Sequence, residues 1–150
     1  MPDKKDRPDT KKKILNALHQ CLCEKPFDKT SIKDIAGEAG INHGLIHYYF
    51  KNKEDMLVRY IEYVIAYNKS LFVKWLAENQ SQSVDEKQLI QDFFEFMNSR
   101  ITLDKKLSKV FIEIWEIAAY NANIRTILQQ AYREWIDTLA RKAGQPAAVR

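Results

Sequence analysis

The stretch that decides the fold is Ser31–Lys53, SIKDIAGEAGINHGLIHYYFKNK, in which a glycine separates two short helical patterns. Ser31 and Asp34 have the spacing of a capping box, where a hydroxyl and a carboxylate each bind a backbone N–H at a helix start. The apolar residues that follow are spaced by three and four: Ile32, Ile35, Ala36 and Ala39. Gly40 then predicts the helix end, because glycine enters the left-handed conformation at low cost.

A second helix is predicted to begin after Asn42, a good N-cap residue, and to run to Phe50. Ile46, Tyr49 and Phe50 share one face and are expected to pack inward. The residues left to face outward, or to lie at the leading end of the unit, are Lys33, His43, Gly44, Leu45, His47 and Tyr48. Histidine and tyrosine side chains on a short exposed helix can donate and accept hydrogen bonds at DNA base edges. The pattern therefore predicts a helix-turn-helix.

The spacing alone leaves other interpretations open. An arrangement of two helices joined by a turn that contains glycine is also common in proteins that do not bind DNA. His43 and His47, four residues apart, have the spacing of a metal-binding pair. No glutamate follows His43 in the zincin pattern and the sequence suggests no third ligand, so no metal site is predicted.

Residues 30–57, TSIKDIAGEAGINHGLIHYYFKNKEDML, resemble the DNA-binding signature of the TetR family of transcriptional regulators. That signature is roughly T-[VI]-x-x-I-A-x-x-A-G-[VI]-[ST]-x-G-x-[LI]-Y-x-Y-F-x-x-K-x-x-L. The matching residues are Ile32, Ile35, Ala36, Ala39, Gly40, Ile41, Gly44, Ile46, Tyr49, Phe50, Lys53 and Leu57. The resemblance implies a repressor of this family, with a double-stranded DNA operator, a small-molecule effector and a homodimer.

Four positions depart from the family pattern. His47 replaces a tyrosine that usually contacts phosphate, Leu45 replaces a small hydroxyl residue, and Asn42 replaces a serine or threonine cap. Pro26 replaces a glycine, and because proline cannot adopt positive φ, the first helix must end in a different way here. The fold is implied by the resemblance, whereas the operator sequence is not.

Phosphate contacts are predicted for Ser31, Tyr49, Lys51 and Lys53. Lys53 matches a lysine that contacts the DNA backbone in the family. It also opposes the helix dipole at the start of the next helix, where a phosphate would be attracted by the ammonium and by free N–H groups. The alternative is a lysine that is simply solvated.

The net charge of +4 lies entirely in the first third of the chain. Residues 1–53 hold 11 Lys and Arg against 7 Asp and Glu, whereas residues 54–150 hold 13 of each. This is the distribution expected if an N-terminal head meets a polyanion and the body does not. A solvated lysine-rich tail is the alternative explanation.

The whole chain is predicted to be all-α, with a three-helix head at 1–51 and a helical ligand-binding and dimerisation body at 52–150. Residues 1–9 are expected to form a mobile arm, followed by a helix from Thr10 to Glu24. Asn52 should cap a long helix that runs to Gln80 and joins head to body. After a polar loop at 81–85, three helices are predicted at about 85–100, 104–120 and 123–142, the last ended by Gly144 and Pro146.

The body is rich in aromatic residues, and the resemblance implies an effector pocket between its helices. The candidate pocket residues are Tyr67, Phe93, Phe96, Met97, Phe111 and Trp115. Aromatic residues at helical spacing more often form plain core. Glu113 and Glu116 flank Trp115 and are candidates to face a cationic ligand, with solvation as the alternative. Family members usually continue with two more helices that form the dimer interface; the given sequence stops at Arg150, and a truncated chain and a short form are both left open.

No enzymatic function is predicted. Glu113, Glu116, Asp92 and Glu95 superficially suggest a carboxylate-bridged metal bundle, but that site needs Glu-x-x-His pairs and every histidine precedes residue 48. We therefore assign no catalytic residues and no cofactor.

The sequence also suggests a location in the cell. No apolar run approaches the ~18 residues of a membrane span, and the N-terminus lacks a signal-peptide core. We expect a cytoplasmic protein whose Cys21 and Cys23 are reduced packing residues.

Overall fold

The computed structural model describes residues 7–78, 86–101 and 105–143, and every regular element within these ranges is helical. The elements are α1 (Arg7–Glu24), a 3-10 turn (Phe27–Lys29), α2 (Ile32–Ala39), α3 (His43–Tyr49), α4 (Lys53–Glu78), α5 (Glu86–Ile101), α6 (Lys105–Tyr120) and α7 (Ala122–Ala143). The predicted all-α architecture is confirmed. No helix in the described ranges combines the length and apolar character of a membrane span.

The head is built on buried aliphatic side chains from its three helices. Ile14 and Leu18 of α1, Ile35 of α2 and Ile46 of α3 are each no more than 1% exposed. Burying one such side chain contributes about 1.5–3 kcal/mol relative to leaving it in water. The spacing of these residues on each helix therefore fixes which face of α2 and of α3 points inward.

The helix ends of the head follow the local signals. Ser31 Oγ accepts the Asp34 N–H at 3.1 Å, and the Asp34 carboxylate accepts the Ser31 N–H at 2.7 Å, so the capping box forms as predicted. Gly40 adopts φ 63° and ψ 38°, the left-handed conformation that ends α2. Asn42 Oδ1 accepts the Gly44 N–H at 2.9 Å and caps α3.

Two boundaries differ from the prediction. The first helix begins at Arg7 rather than Thr10, so residues 7–9 of the predicted arm are helical. Pro8 lies in the first turn, where its missing N–H removes no intrahelical hydrogen bond. Helix α3 ends at Tyr49, and Phe50 follows it in an extended conformation as a buried C-cap. The remainder of the arm, the 81–85 loop and the terminators Gly144 and Pro146 lie outside the described residues.

A short 3-10 turn after Pro26 was not predicted. The Lys29 and Thr30 N–H groups donate to the carbonyls of Pro26 and Phe27, both at 3.1 Å. The Thr30 hydroxyl also donates to the Pro26 carbonyl at 3.0 Å, and Thr30 is buried. This turn connects α1 to α2.

The body continues from the head through α4, whose 26 residues span about 39 Å. Asn52 caps this helix as predicted, since its side chain accepts the Asp55 N–H at 2.7 Å. The three later helices begin and end within one residue of the predicted bounds where the structure describes them. Buried side chains of α6 and α7, among them Ile114 and Ile124, belong to the same apolar cluster as the head core. Head and body therefore share one continuous core.

Candidate functional site

The outward side of α3 and the adjoining part of α2 form one candidate site, which we call the recognition surface. Its residues are Lys33, His43, Gly44, His47 and Tyr48, and all five are exposed. Tyr48 is 58% exposed although it is a large ring. Leu45, also predicted to face outward, is half-buried. Two imidazoles, a phenol and an ammonium are thus available to a molecule that approaches α3.

The exposed glycine of the recognition surface has a structural reason that the sequence did not reveal. A Cβ atom built on Gly44 would lie 3.3 Å from Asn42 Oδ1, the oxygen that caps α3. Such a contact is tight, so a larger residue would press on the cap. The absence of a side chain also leaves the leading end of α3 open to a close approach.

The four predicted phosphate contacts differ in their surroundings. Ser31 is exposed, but its hydroxyl donates to the Asp34 carboxylate at 2.7 Å in addition to its capping role. Lys51 is exposed, and its backbone N–H donates to Asp55 Oδ2 at 3.0 Å. Tyr49 packs edge to face on Tyr48, and its hydroxyl is buried without a hydrogen-bond partner in the described structure. The Tyr49 hydroxyl can therefore reach a phosphate only after the side chain moves.

The ammonium of Lys53 is engaged inside the head. Its Nζ donates to the Phe27 carbonyl at 2.6 Å and to the Thr30 carbonyl at 2.8 Å. It also lies 4.2 Å from the centre of the Phe27 ring, a cation–π distance. Partial burial lowers the pKa of Lys53.

These contacts explain why a cation is tolerated at the start of α4. From the sequence, the unfavourable position of Lys53 suggests an anion site, because the helix dipole disfavours a cation there. Two backbone carbonyls of the 3-10 turn already offset that cost. The position of Lys53 is therefore no independent argument for a bound phosphate.

Side chains of α6 and of the α6–α7 junction contact the head and the start of α4. The carboxylate of Glu113, on α6, accepts the Phe27 N–H at 2.6 Å. Asn121, at the junction of α6 and α7, donates from its side chain to Glu54 at 2.8 Å. Glu113 was a candidate to face a cationic ligand, and the structure instead directs it to the head. No local sequence signal predicts this contact, since the partners are 86 residues apart.

Two cavities lie beside α4. The larger cavity, about 410 Å³, is enclosed by α1, α4 and α6. The smaller cavity, about 50 Å³, lies between α4, α6 and α7. Tyr67 lines the larger cavity, Trp115 lines the smaller one, and Phe111 lines both.

The remaining three predicted pocket residues line neither cavity. Phe93 and Phe96 pack against Phe72, with ring centres 5.5 and 6.2 Å away. Met97 is half-buried on the same helix, α5. The sequence predicts the pocket between α4 and α7; the smaller cavity lies within that region, whereas the larger one also borders α1. The half-buried rings of Phe93 and Phe96 thus contact the fully buried Phe72.

One polar group of the larger cavity was missed by the sequence analysis. His19 Nδ1 lies 2.6 Å from the Tyr60 hydroxyl, and its Nε2 lies 3.7 Å from Cys23 Sγ. Burial raises the pKa of Tyr60 above its ordinary value. The spacing of His19 and Cys23 is visible in the sequence, but Tyr60 is 41 residues from His19. Cys21 and Cys23 are both buried and unbridged, and burial raises the pKa of Cys21.

The fold and the recognition surface define a helix-turn-helix protein. Two short helices meet at a left-handed glycine, and the second is held from behind by a closed core while it exposes polar and aromatic side chains. In the ranges that the structure describes, no group of three or more His, Cys, Asp or Glu residues is arranged to hold a metal ion.

Residues 14–60 match the model of the bacterial regulatory proteins of the tetR family. A fatty acid metabolism regulator protein of Bacillus subtilis is 26% identical over 121 residues, which cover 81% of this chain and 52% of the relative. IcaR of Staphylococcus epidermidis, the HTH-type negative transcriptional regulator of the biofilm operon icaADBC, is 25% identical over 121 residues, covering 80% and 62%.

A solved structure shares the fold of this chain. The transcriptional regulator FadR of Bacillus subtilis in complex with stearoyl-CoA superposes with a TM-score of 0.62 at 20% identity, over 83% of this chain and 64% of that one. The head of this chain, over residues 14–60, is thus of the tetR family type, and the described residues share the fold of a solved transcriptional regulator. The chain spans 52% and 62% of the lengths of the two curated relatives.

Proposed function

We propose that this chain is a transcriptional regulator that binds a double-stranded DNA operator through the recognition surface. The observation that carries the proposal is the exposure of His43, His47 and Tyr48 on a helix whose Ile46 is fully buried. Such a helix presents its polar side chains at a fixed angle, as a groove-reading helix must. The family match over residues 14–60 supports the same function.

The mode of regulation is proposed from the relatives and from the cavities. A named relative is a negative regulator, which supports repression. FadR of Bacillus subtilis was solved with stearoyl-CoA, which supports release by a small apolar or amphipathic effector. We infer a homodimer, because two recognition helices about 34–36 Å apart are needed to reach successive turns of the major groove. We also infer a cytoplasmic location.

The test begins with selection of bound sequences from a pool of random duplexes. The enriched duplex is then titrated by fluorescence anisotropy at two salt concentrations, with a scrambled duplex beside it. We expect the double variant His43→Ala, Tyr48→Ala to lose the preference for the enriched duplex, because each base contact supplies about 1–3 kcal/mol of discrimination.

The control is Tyr120→Ala, since Tyr120 lies on the body and is 89% exposed, so that its removal should not disturb the packing. It should bind both duplexes like the original protein. A folded protein that enriches no sequence would instead be a helical ligand-binding or interaction module without DNA readout. Binding that the double variant does not change would also refute the proposal.

A further inference from the structure

The start of the 3-10 turn Phe27–Lys29 is capped from a distant part of the chain. Pro26 precedes the turn with φ −58° and ψ 155°, and its side chain forms no capping hydrogen bond. The first N–H groups of a helical turn have no acceptor within the turn, so they need one from elsewhere. Glu113 of α6 supplies it for Phe27, since its Oε1 lies 2.6 Å from the Phe27 nitrogen.

The other end of the same turn is held by a cation. Lys53 Nζ donates to the Phe27 and Thr30 carbonyls at 2.6 and 2.8 Å. A carboxylate therefore faces an N–H at the start of the turn and an ammonium faces carbonyls at its end, which is the arrangement that the backbone dipole favours. Glu113 belongs to α6 and Lys53 to α4, so this turn of the head is bonded to two helices of the body.

Apolar packing alone does not fix the angle between head and body. Val110 and Ile114 of α6 belong to the same buried cluster as Ile14 and Leu18 of α1. Burial of this kind is favourable but non-directional, so it permits small shifts of one helix along another. A hydrogen bond is favourable only over a narrow range of distance and angle, and an ionised partner makes it roughly twice as strong. The bond between Glu113 and Phe27 opposes such a shift.

Two other polar side chains of this region show what is particular about Glu113. The bond between Asn121 and Glu54, at 2.8 Å, joins two parts of the body and does not include the head. Glu116 lies three residues after Glu113 on the same helix and is exposed. Glu113 is half-buried and reaches a backbone N–H of the head across 86 residues of sequence. It is therefore placed to report and to restrain the position of α6 against the head.

We propose that Glu113 is a positioning residue, which caps the turn Phe27–Lys29 from α6 and thereby fixes the angle between the head and the body. Lys53 holds the opposite end of the turn, and we call the pair the turn clamp. In a homodimer this angle sets the separation of the two recognition surfaces, and so the spacing of the DNA half-sites that they reach. That last step rests on the proposed function, whereas the fixed angle does not.

The angle is measured without DNA, as the distance between two spin labels. Glu38→Cys on α2 and Gln129→Cys on α7 replace exposed residues and carry the labels. Labelled protein is diluted with unlabelled protein so that only distances within one chain are recorded. The original protein, whose Cys21 and Cys23 are buried, is the labelling blank.

The width of the distance distribution distinguishes a fixed head from a loosened one. We expect one narrow distribution when Glu113 is present, and a distribution at least about twofold wider for Glu113→Ala, because the head then takes up more than one orientation. Glu113→Gln keeps an acceptor oxygen and should keep the distribution narrow. The matched control is Glu116→Ala, which removes an exposed carboxylate of the same helix and should change nothing.

Amide hydrogen exchange followed by NMR tests the bond itself. We expect exchange at the Phe27 amide to become about tenfold or more faster in Glu113→Ala and about threefold faster in Glu113→Gln, because the first loses the acceptor and the second only its charge. The Ile35 amide, which donates to the Ser31 carbonyl at 3.2 Å within the head, should be unchanged. Circular dichroism establishes that each variant is folded, and Glu113→Gln provides the exchange test if Glu113→Ala is not.

The proposal is overturned by any of three results. A folded Glu113→Ala protein could keep the narrow distribution, the Phe27 and Ile35 amides could gain exchange equally, or Glu116→Ala could have the same effect as Glu113→Ala. The first result would mean that the bond does not fix the angle. The second would mean that the whole head is destabilised, and the third that any loss of charge on α6 has this effect.

A separate arm connects the turn clamp to DNA. Duplexes carry two copies of the selected half-site at different separations. We expect the original protein to prefer one separation, and Glu113→Ala to reduce that preference about three- to tenfold while its affinity for a single half-site is unchanged. Binding to no duplex would refute the proposed function and leave the spin-label result to decide the clamp. An unchanged preference with a widened distance distribution would refute only the link between the clamp and half-site spacing.

Discussion

The head and the body of this protein are built from the same kind of helix but packed in opposite ways. In the head, the short helices α2 and α3 have side-chain caps and pack on fully buried aliphatic side chains. In the body, longer helices expose large rings such as Trp115 and Tyr120, and two cavities lie along α4. A surface that reads DNA must hold its side chains in fixed positions, whereas a region that takes up a ligand needs space. Under the proposed function, this contrast would suit recognition to the head and ligand response to the body.

The largest expected effect compares one isoleucine of each region. Ile14 is fully buried in the head and Ile112 is 66% exposed on α6. We expect Ile14→Ala to lower the free energy of unfolding by about 2–5 kcal/mol, because it removes apolar contacts and leaves a cavity. Ile112→Ala should change it by no more than about 0.5 kcal/mol. Urea titration followed by circular dichroism measures both, and equal losses would contradict the contrast in packing.

A second comparison, of Lys53 with Lys51, separates a role in stability from a role in DNA binding. Lys53→Met removes both hydrogen bonds to the Phe27 and Thr30 carbonyls, so we expect a loss of about 1–3 kcal/mol in unfolding free energy. Lys51→Met should leave stability unchanged, because the Lys51 side chain is exposed. If Lys51 contacts a phosphate, its variant lowers the slope of log affinity against log salt by about 0.9. A stable Lys53→Met protein with a reduced salt slope would show that Lys53 serves DNA rather than the fold.

A smaller pair of effects examines the corner of the head itself. Gly40 has φ +63° and Gly37 lies within α2, and a Cβ would meet nothing within 4 Å at either position. An added Cβ therefore clashes at neither position, and the two glycines differ only in their backbone conformation. Gly40→Ala should destabilise by about 1–2 kcal/mol through left-handed strain, whereas Gly37→Ala should stabilise by about 0.5–1 kcal/mol through helix propensity. Thermal unfolding of both variants checks the signs, and a neutral Gly40→Ala would mean that the corner adapts.

The local features of the fold could be predicted because each signal and its effect are neighbours in the chain. Ser31 and Asp34 form the capping box, Gly40 ends α2, and Asn42 and Asn52 cap the next helices, all as predicted. The exposed face of α3 followed from the burial of Ile46 by helical periodicity. The 3-10 turn after Pro26 could not be predicted, because the family pattern has a glycine at this position and so gives no guide to the conformation that follows a proline.

The tertiary structure decided the roles that depend on distant partners. Lys53 bonds to a carbonyl 26 residues away, Glu113 to an N–H 86 residues away, and His19 to a hydroxyl 41 residues away. Sequence spacing describes one helix at a time, so it determined the helices, their ends and their exposed faces. Which faces meet, and where they leave a cavity, depends on how whole side chains fill the space between helices, and only the packed chain settles that.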